Sequence, residues 1–436
     1  MPVQGRTAEG CAKLRISFAA RDFYALFLTI GHISDKHLHK ELAMKRSFPS
    51  SPWHKTALAA ASLCTFSLAQ AAATINFGDD QSASFGLGLR TSYDSTGGEG
   101  VATGQSFNVD NLRLYTNFSL SKTVKATFNT EYNSATNAVS VLDAYAQIEP
   151  MESFNFWIGR LLPPSDRANM DGPFYINVWS YPGIASVYPE QYLDGRDQGA
   201  TFWGVVANQR LTYAVGGFQG RESSALNNSG RGGSKNLMFT ARLNYNFWDT
   251  MLDPAYYASS SYYGTKDVLA LGLAGMSQKN GVSTNTGVSA DYKAWNLDFL
   301  LEKKVLDGGA FTLEGAYYKV DTQNTLDSYC SAVNATDCWG GAVAQGTSHL
   351  GTVEFLFPQK LGWGKFQPYY RYQDFKPDAV DSGLALGQAL RSQKNDVGIN
   401  YVIKGDDERF TVAYEQTNRA GMPSINAFIV GMQLQF

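Results

Sequence analysis

The last nine residues read FIVGMQLQF, from Phe428 to Phe436. Apolar side chains stand at every second position and alternate with glutamine, glycine and isoleucine; the alternating set is Phe428, Val430, Met432, Leu434 and Phe436. This period of two is that of a β-strand with two different faces. An apolar strand left at a sheet edge invites aggregation, and closing the sheet into a barrel removes the edge. The segment therefore predicts the closing strand of a β-barrel, with the buried last strand of a β-sandwich as the alternative.

The same alternation recurs through the chain, between short clusters of Gly, Asn, Asp, Ser and Pro. We predict 16 strands, an even number as in bacterial barrels. The segments are 84–93, 107–120, 123–132, 139–149, 154–161, 198–206, 210–220, 236–247, 266–277, 287–304, 309–321, 347–357, 365–376, 394–403, 408–418 and 425–436. The predicted fold class is all-β, a transmembrane antiparallel barrel.

Composition agrees with this fold class. Charged residues are only 17% of the chain and aromatic residues are 13%, whereas mean hydropathy is −0.24. The strands of a barrel alternate lipid-facing apolar residues with water-facing polar residues, so the mean hydropathy of the whole chain is near neutral. A helical membrane protein needs stretches of about 20 apolar residues, and the longest apolar stretch here is much shorter. A large soluble β-protein has a similar composition, so composition alone does not decide between the two.

The front of the chain has the pattern of a secretory signal peptide. Basic Lys45 and Arg46 precede an apolar segment, 56–68, and Ala69-Gln70-Ala71 forms a small-x-small cleavage signal. We therefore predict a signal peptide over 44–71 and a mature barrel over 72–436. Residues 1–43 then precede a complete signal peptide, and we interpret them as a spurious upstream extension; a genuine long leader is the alternative.

Charge and cysteine content exclude some functions of the predicted mature chain. Removing residues 1–71 leaves 27 basic and 35 acidic residues, a net charge of −8, which excludes a basic nucleic-acid-binding protein. Two cysteines remain, Cys330 and Cys338, in a polar loop. In an oxidising compartment such a pair predicts a disulfide. Metal binding is the alternative, although no histidine or further cysteine lies nearby.

The predicted connections differ in length at the two ends of the barrel. Short turns alternate with long loops at 162–197, 221–235, 322–346 and 377–393, as expected of periplasmic turns and outer loops. One connection, 248–265, is long although the count places it on the periplasmic side, and the sequence offers no reason beyond its Tyr and Ser content.

Several of these segments resemble the phosphate-selective (O/P-type) porin family. The resemblance lies in Asp143-Ala144-Tyr145-Ala146, in Phe156 to Leu161, in Tyr188-Pro189-Glu190, in Lys266 to Leu273, in Asp298 to Leu301 with Gly308-Gly309, and around Phe357-Pro358. It implies a trimeric diffusion channel of 16 strands, with a third outer loop folded into the lumen. The final strand is also similar to the signal read by the outer-membrane barrel assembly machinery.

Alternation also predicts which charged side chains face the lumen, where rings of charge select ions. The pore-lining candidates are Arg90, Arg113, Lys125, Arg242, Arg371, Glu131 and Asp143. Loop 162–197 is the predicted constriction, because loops of this length are usually functional; its candidates are Asp166, Arg167, Asp171, Tyr188, Glu190 and Arg196. Arg90 and Arg113 could form an anion-guiding stripe, or they could belong to a salt-bridged wall.

The predicted function is a passive outer-membrane channel, a porin, for small hydrophilic solutes or ions, with phosphate as one candidate. It needs no cofactor and no metal, and its expected partners are outer-membrane lipids, the assembly machinery and two further copies in a homotrimer. The alternative is a structural or partner-filled barrel, a sheath or an adhesin, which the small residues Ser84, Gly86 and Gly88 would suit. Catalysis is not expected, because the predicted mature chain holds one histidine, His349.

Overall fold

The structure is a computed structural model that describes residues 73–436 except 135–136, 187–194, 221–233, 252–253, 284–288, 326–344 and 379–390. The strands are β1 Ala73–Asn76, β2 Ser82–Gly98, β3 Val101–Ser119, β4 Val124–Asn133, β5 Ala138–Met151, β6 Phe154–Leu161, β7 Asp197–Val206, β8 Leu211–Phe218, β9 Met238–Asn246, β10 Val268–Ser283, β11 Ser289–Val305, β12 Gly309–Asp321, β13 Gly346–Leu356, β14 Lys365–Pro377, β15 Ser392–Lys404, β16 Glu408–Arg419 and β17 Ile425–Gln435. Within the described residues one helix, α1, spans Arg167–Tyr175. No helix in these described ranges is long and apolar enough to cross a membrane.

Strands β2–β17 form a closed antiparallel barrel of 16 strands. Each strand pairs with the next, and β17 returns to pair with β2, with Val430 opposite Tyr93. Every predicted segment corresponds to one of these strands, and the long segment 287–304 is the single strand β11. The predicted fold class is therefore confirmed.

Strand β1 is an addition that the sequence analysis missed. It pairs with the first residues of β2, with Ala73 opposite Phe85. The last residue of the chain lies immediately beyond this pair, since Phe436 and Leu87 exchange two backbone hydrogen bonds of 3.0 Å each. β1 thus continues the ladder along β2 from the point where β17 ends.

The outer face of the barrel is apolar, because the alternate residues of each strand point away from the lumen. These side chains are about 40–60% exposed, as expected of a lipid-facing band; they include Leu114, Phe128, Ile158, Phe202, Val215, Leu243, Leu271, Leu297, Tyr317, Tyr370, Val397, Val412 and Val430. A closed barrel with an apolar outer band places the protein in an outer membrane.

Two glycines on the inner face make room for the loop that enters the barrel. A Cβ at Gly88 would lie 2.7 Å from the ring of Phe174, and a Cβ at Gly431 would lie 2.5 Å from the ring of Trp179. Any larger residue at these two positions would collide with an aromatic ring. The small inner residue Gly88 therefore accommodates a segment of the same chain.

Candidate functional site

The loop that follows β6 covers residues 162–196 and is hereafter called L3. Its described residues, 162–186 and 195–196, enter the lumen and contain α1. One end of L3 is held to the wall by Asp298 of β11, whose side chain is 1% exposed. Arg242 of β9 donates two hydrogen bonds to this carboxylate, at 2.7 and 2.9 Å, and a third, at 2.9 Å, to the backbone oxygen of Ser165. The backbone N–H of Arg167 donates to the same carboxylate at 3.2 Å. Asp298 thus ties the start of α1 to the barrel.

The next part of L3, residues 176–186, is held through its backbone oxygens. Wall arginines donate to three of them: Arg409 to Ile176 at 2.6 Å, Arg90 to Trp179 at 2.5 Å, and Arg371 to Ser180 at 2.6 Å. The guanidinium of Arg90 also lies 4.1 Å from the ring centroid of Trp179. These inward-pointing arginines are occupied by the loop and do not face open space.

The connection between β9 and β10, residues 247–267 and hereafter the inward turn, also enters the lumen. The Tyr256 hydroxyl donates to the backbone oxygen of Leu162 at 2.8 Å, and the Ser260 hydroxyl donates to Asp171 at 2.7 Å. The Tyr263 hydroxyl donates to Asp406, near the start of β16, at 2.6 Å. The inward turn therefore packs beneath L3 and crosses to a distant strand, which accounts for the unusual length of this connection.

Aromatic side chains join the inward turn to the wall. The ring of Trp157 on β6 stacks on Tyr145 with centroids 4.9 Å apart, and lies 5.5 Å from both Trp203 and Tyr256 and 6.0 Å from Tyr257. Such contacts contribute about 0.5–1.5 kcal/mol per pair beyond their buried area. The inward turn is thereby fixed against β5–β7.

Beside L3 and the inward turn, a cavity of about 730 Å³ lies against strands β2–β7. It extends from the barrel end that holds Ser119 and Phe436 to the level of Leu162 and Arg196 in L3. The lumen of the described barrel is thus divided into a half filled by the two segments and a half that contains this cavity.

Charged side chains that line the cavity are arranged in pairs. Arg196 of L3 donates to Asp143 at 3.1 Å, and Lys125 donates to Glu149 at 2.6 Å. Arg113 donates to Glu131 at 2.6 Å. The remaining ionisable lining is Asp171 and Asp407, with Tyr115, Tyr145, Tyr175 and Tyr257. Each of the three cations thus has a carboxylate within 3.1 Å, and Asp171 and Asp407 give the lining two further carboxylates.

Two ionisable groups of the loops have shifted pKa values. Burial raises the pKa of the Asp166 carboxyl to about 7, although hydroxyls of Ser186 and Tyr318 donate to it. Burial also raises the pKa of Tyr257 to about 12, so its hydroxyl faces the cavity as a neutral group. The part of the inward turn that lines the cavity, within residues 254–259, therefore presents an uncharged surface beside the charged wall.

The structure places the predicted residues in three groups. Those that line the cavity are Arg113, Lys125, Asp143, Asp171 and Arg196, with Glu131 bound to Arg113. Those buried between L3 and the wall are Arg90, Arg242, Arg371, Asp166 and Arg167. Tyr188, Glu190, Cys330 and Cys338 lie outside the described residues. Arg90 and Arg113 therefore have different surroundings, the first beneath L3 and the second at the cavity.

Alternate apolar residues of the final strand, and the single histidine of the predicted mature chain, lie on the outer face. Phe428, Val430 and Leu434 of β17 are exposed, as is Phe436. His349 on β13 is also exposed, because its neighbour Ser348 points inward and donates to Ala185 of L3. Among the described residues, no group of three or more His, Cys, Asp or Glu side chains could hold a metal ion.

Sequence reasoning missed the inward turn and two anchors of L3, Asp298 and Arg409. In the sequence, Asp298 and Arg409 are two of many charged residues at alternating strand positions, and nothing there marks them as anchors of L3. Five of the residues 254–259 line the cavity, including Pro254 and Tyr257. The one signal for the inward turn was its length on the side where short turns are expected.

No protein-family model matches the chain, and no curated protein sequence matches it. Solved structures with the same fold include Salmonella typhi OmpF in complex with daunomycin, 13% identical over 84% of this chain and all of that one, with a TM-score of 0.55. An anion-selective porin from Comamonas acidovorans is 10% identical over 82% of this chain and all of that one, with a TM-score of 0.52. The outer membrane channel DcaP of Acinetobacter baumannii is 12% identical over 84% of this chain and all of that one, with a TM-score of 0.50. At these identities the likeness shows a porin-type barrel fold, and the resemblance to the phosphate-selective family stays a prediction.

Proposed function

We propose that this chain is a passive outer-membrane channel for small hydrophilic solutes and that solutes cross through the cavity beside L3. The cavity itself is the observation that carries the proposal. A volume of about 730 Å³ occupies the half of the lumen that L3 and the inward turn leave open, and its lining combines charged side chains such as Arg113 and Lys125 with aromatic ones such as Tyr145 and Trp157. Transport through it needs no cofactor and no reaction, and the outward position of His349 gives catalysis no support.

The paired charges favour a general channel over a phosphate-selective one. A phosphate site presents arginine or lysine donors to the anion. Here Arg113, Lys125 and Arg196 each donate to a carboxylate, and the lining also holds Asp171 and Asp407. We expect only a weak preference, for small cations, because the lining carries two carboxylates beyond the neutral pairs and no ring of a single charge.

Planar-bilayer conductance of refolded residues 72–436, with the reversal potential in a salt gradient, tests the proposal. We expect discrete steps, a small reversal potential and no block by millimolar phosphate. Arg113→Gln should shift the reversal potential toward cation preference, whereas Arg90→Gln, beneath L3, should leave the sign of selectivity unchanged. Strong anion preference with phosphate block would instead support phosphate selectivity.

The alternative, a sheath or adhesin filled by a partner, predicts no conductance steps from a folded barrel. That outcome would overturn the channel proposal. The filled half of the lumen is occupied by L3 and the inward turn of this same chain, so a partner is not required to explain the small inner residues. We further propose a homotrimer in the outer membrane, inserted by the assembly machinery; OmpT of Vibrio cholerae, a barrel of this fold, is described in a trimer form.

A further inference from the structure

We infer that the inward turn is a second constriction segment and that Tyr257 at its tip controls which solutes pass. The inference rests on the proposed channel function and assigns part of the selectivity to a periplasmic connection. It follows from three observations: the anchoring of the inward turn, its share of the cavity lining, and the contrast between its uncharged surface and the charged wall beside it.

The inward turn is anchored on both sides of Tyr257. Before it, Tyr256 is 3% exposed and donates to L3. After it, Ser261 donates to Glu302 of β11 at 2.8 Å, and the backbone N–H groups of Tyr262 and Gly264 donate to the same carboxylate at 2.8 and 2.7 Å. A buried carboxylate with three donors holds a segment firmly. The position of Tyr257 is therefore fixed and does not depend on a freely moving loop.

Tyr257 faces the cavity next to the charged wall of β3–β5. Its hydroxyl lies 3.5 Å from that of Tyr145, and its ring lies 6.0 Å from Trp157. Pro254, Ala255, Ala258 and Ser259 accompany it in the lining. These five residues are uncharged, and the charged pair of Arg196 and Asp143 lies beside Tyr257. A solute in the cavity thus meets an aromatic surface next to charged groups.

This contrast defines the class of solute that fits. Organic molecules with a ring or other apolar side and a charged or zwitterionic group can contact both surfaces at once. Inorganic ions gain nothing from the aromatic side. We expect Tyr257→Ala to change the permeation of ring-bearing carboxylates such as benzoate more than that of acetate, because only the ring contacts Tyr257.

Cysteine modification tests the inference with the whole mature chain. Tyr257→Cys is refolded and treated in the bilayer with a membrane-impermeant thiosulfonate, and mass spectrometry confirms modification. If the inward turn borders the conducting path, the added group reduces unitary conductance about twofold or more, and a reductant restores it. Pro254→Cys changes an exposed position of the same cavity lining, so it provides a second test if the Tyr257→Cys protein does not fold.

Two controls separate the possible outcomes. Thr265→Cys lies on the same connection, is exposed and is not part of the cavity lining, so its modification should leave conductance unchanged. Treated wild type controls for Cys330 and Cys338. Unchanged conductance after modification of both Tyr257→Cys and Pro254→Cys, or failure of both to react, overturns the inference while wild-type steps preserve the channel proposal. A folded wild type without steps overturns both.

Discussion

Asp298→Asn should release L3 from the wall without unfolding the barrel. The carboxylate is almost completely buried and accepts hydrogen bonds from Arg242 and from the backbone of Arg167. Asparagine keeps the shape and one oxygen of the side chain. It leaves the buried guanidinium groups of Arg242 and Arg167, which lie 2.7 and 3.7 Å from the carboxylate, without their counter-ion. Removing one partner of a buried ion pair costs about 3–5 kcal/mol. Because asparagine retains one acceptor, we take the lower end, about 3 kcal/mol, which raises the undocked population of L3 by about a hundredfold.

Trypsin reports that population directly. Arg167 is 1% exposed, so cleavage after it requires L3 to leave the wall. When opening and closing are faster than cleavage, the cleavage rate follows the population of the open form. We therefore expect faster cleavage after Arg167 in Asp298→Asn, together with noisier and larger conductance steps. The gel mobility of unheated protein verifies that the barrel is intact.

Asp267→Asn is the matched control. Asp267 pairs with Lys303 at the barrel rim, where both side chains are partly exposed, and such pairs contribute about 0–1 kcal/mol. Its cleavage rate should equal that of the wild type. An Asp298→Asn protein with unchanged cleavage and unchanged conductance noise would refute the assignment of Asp298 as the anchor of L3.

Three further predictions concern other parts of the molecule. Trp157→Ala should destabilise the protein by about 3–5 kcal/mol in denaturant unfolding, because it empties the centre of the aromatic cluster, whereas Trp363→Ala, at 76% exposure, should have little effect; equal effects would contradict the packing argument. The pKa of Asp166 in docked L3 is raised to about 7, so docking is firmest below the ordinary carboxylate pKa and weakens as the pH rises through about 7. Conductance noise should increase over the same pH range, and Asp166→Asn should abolish this pH dependence. In peptide mapping without reduction, the peptide that carries Cys330 and Cys338 should resist thiol alkylation until it is reduced, and two free thiols would exclude the predicted disulfide.

The sixteen barrel strands could be predicted from the sequence because alternation is a local signal. Each strand needs only its own residues to show two faces, and the aqueous and lipid surroundings impose the same period throughout. Strand β1 was missed because it has only four residues and pairs only with the start of β2.

The candidate site was predictable only in part, since it depends on contacts between distant segments. Alternation correctly assigns Arg90 and Arg113 to the inner face, but it does not show that Arg90 binds the backbone of Trp179 while Arg113 reaches the cavity. A Tyr- and Ser-rich connection has the composition of a surface turn. The inward turn is buried because its Tyr256, Ser260 and Ser261 donate to groups that are distant in sequence. The acceptors are the backbone oxygen of Leu162 and the carboxylates of Asp171 and Glu302.

The division of the lumen into a filled and an open half separates two kinds of mutational effect. Substitutions at Asp298, Arg409 or Trp157 act on packed groups and alter how firmly the internal segments are held. Substitutions at Asn117 or Lys125 act on groups beside open space and alter what passes. A protein engineer could therefore redesign permeability on strands β3–β5 while leaving the anchors of L3 at Asp298 and Arg409 unchanged.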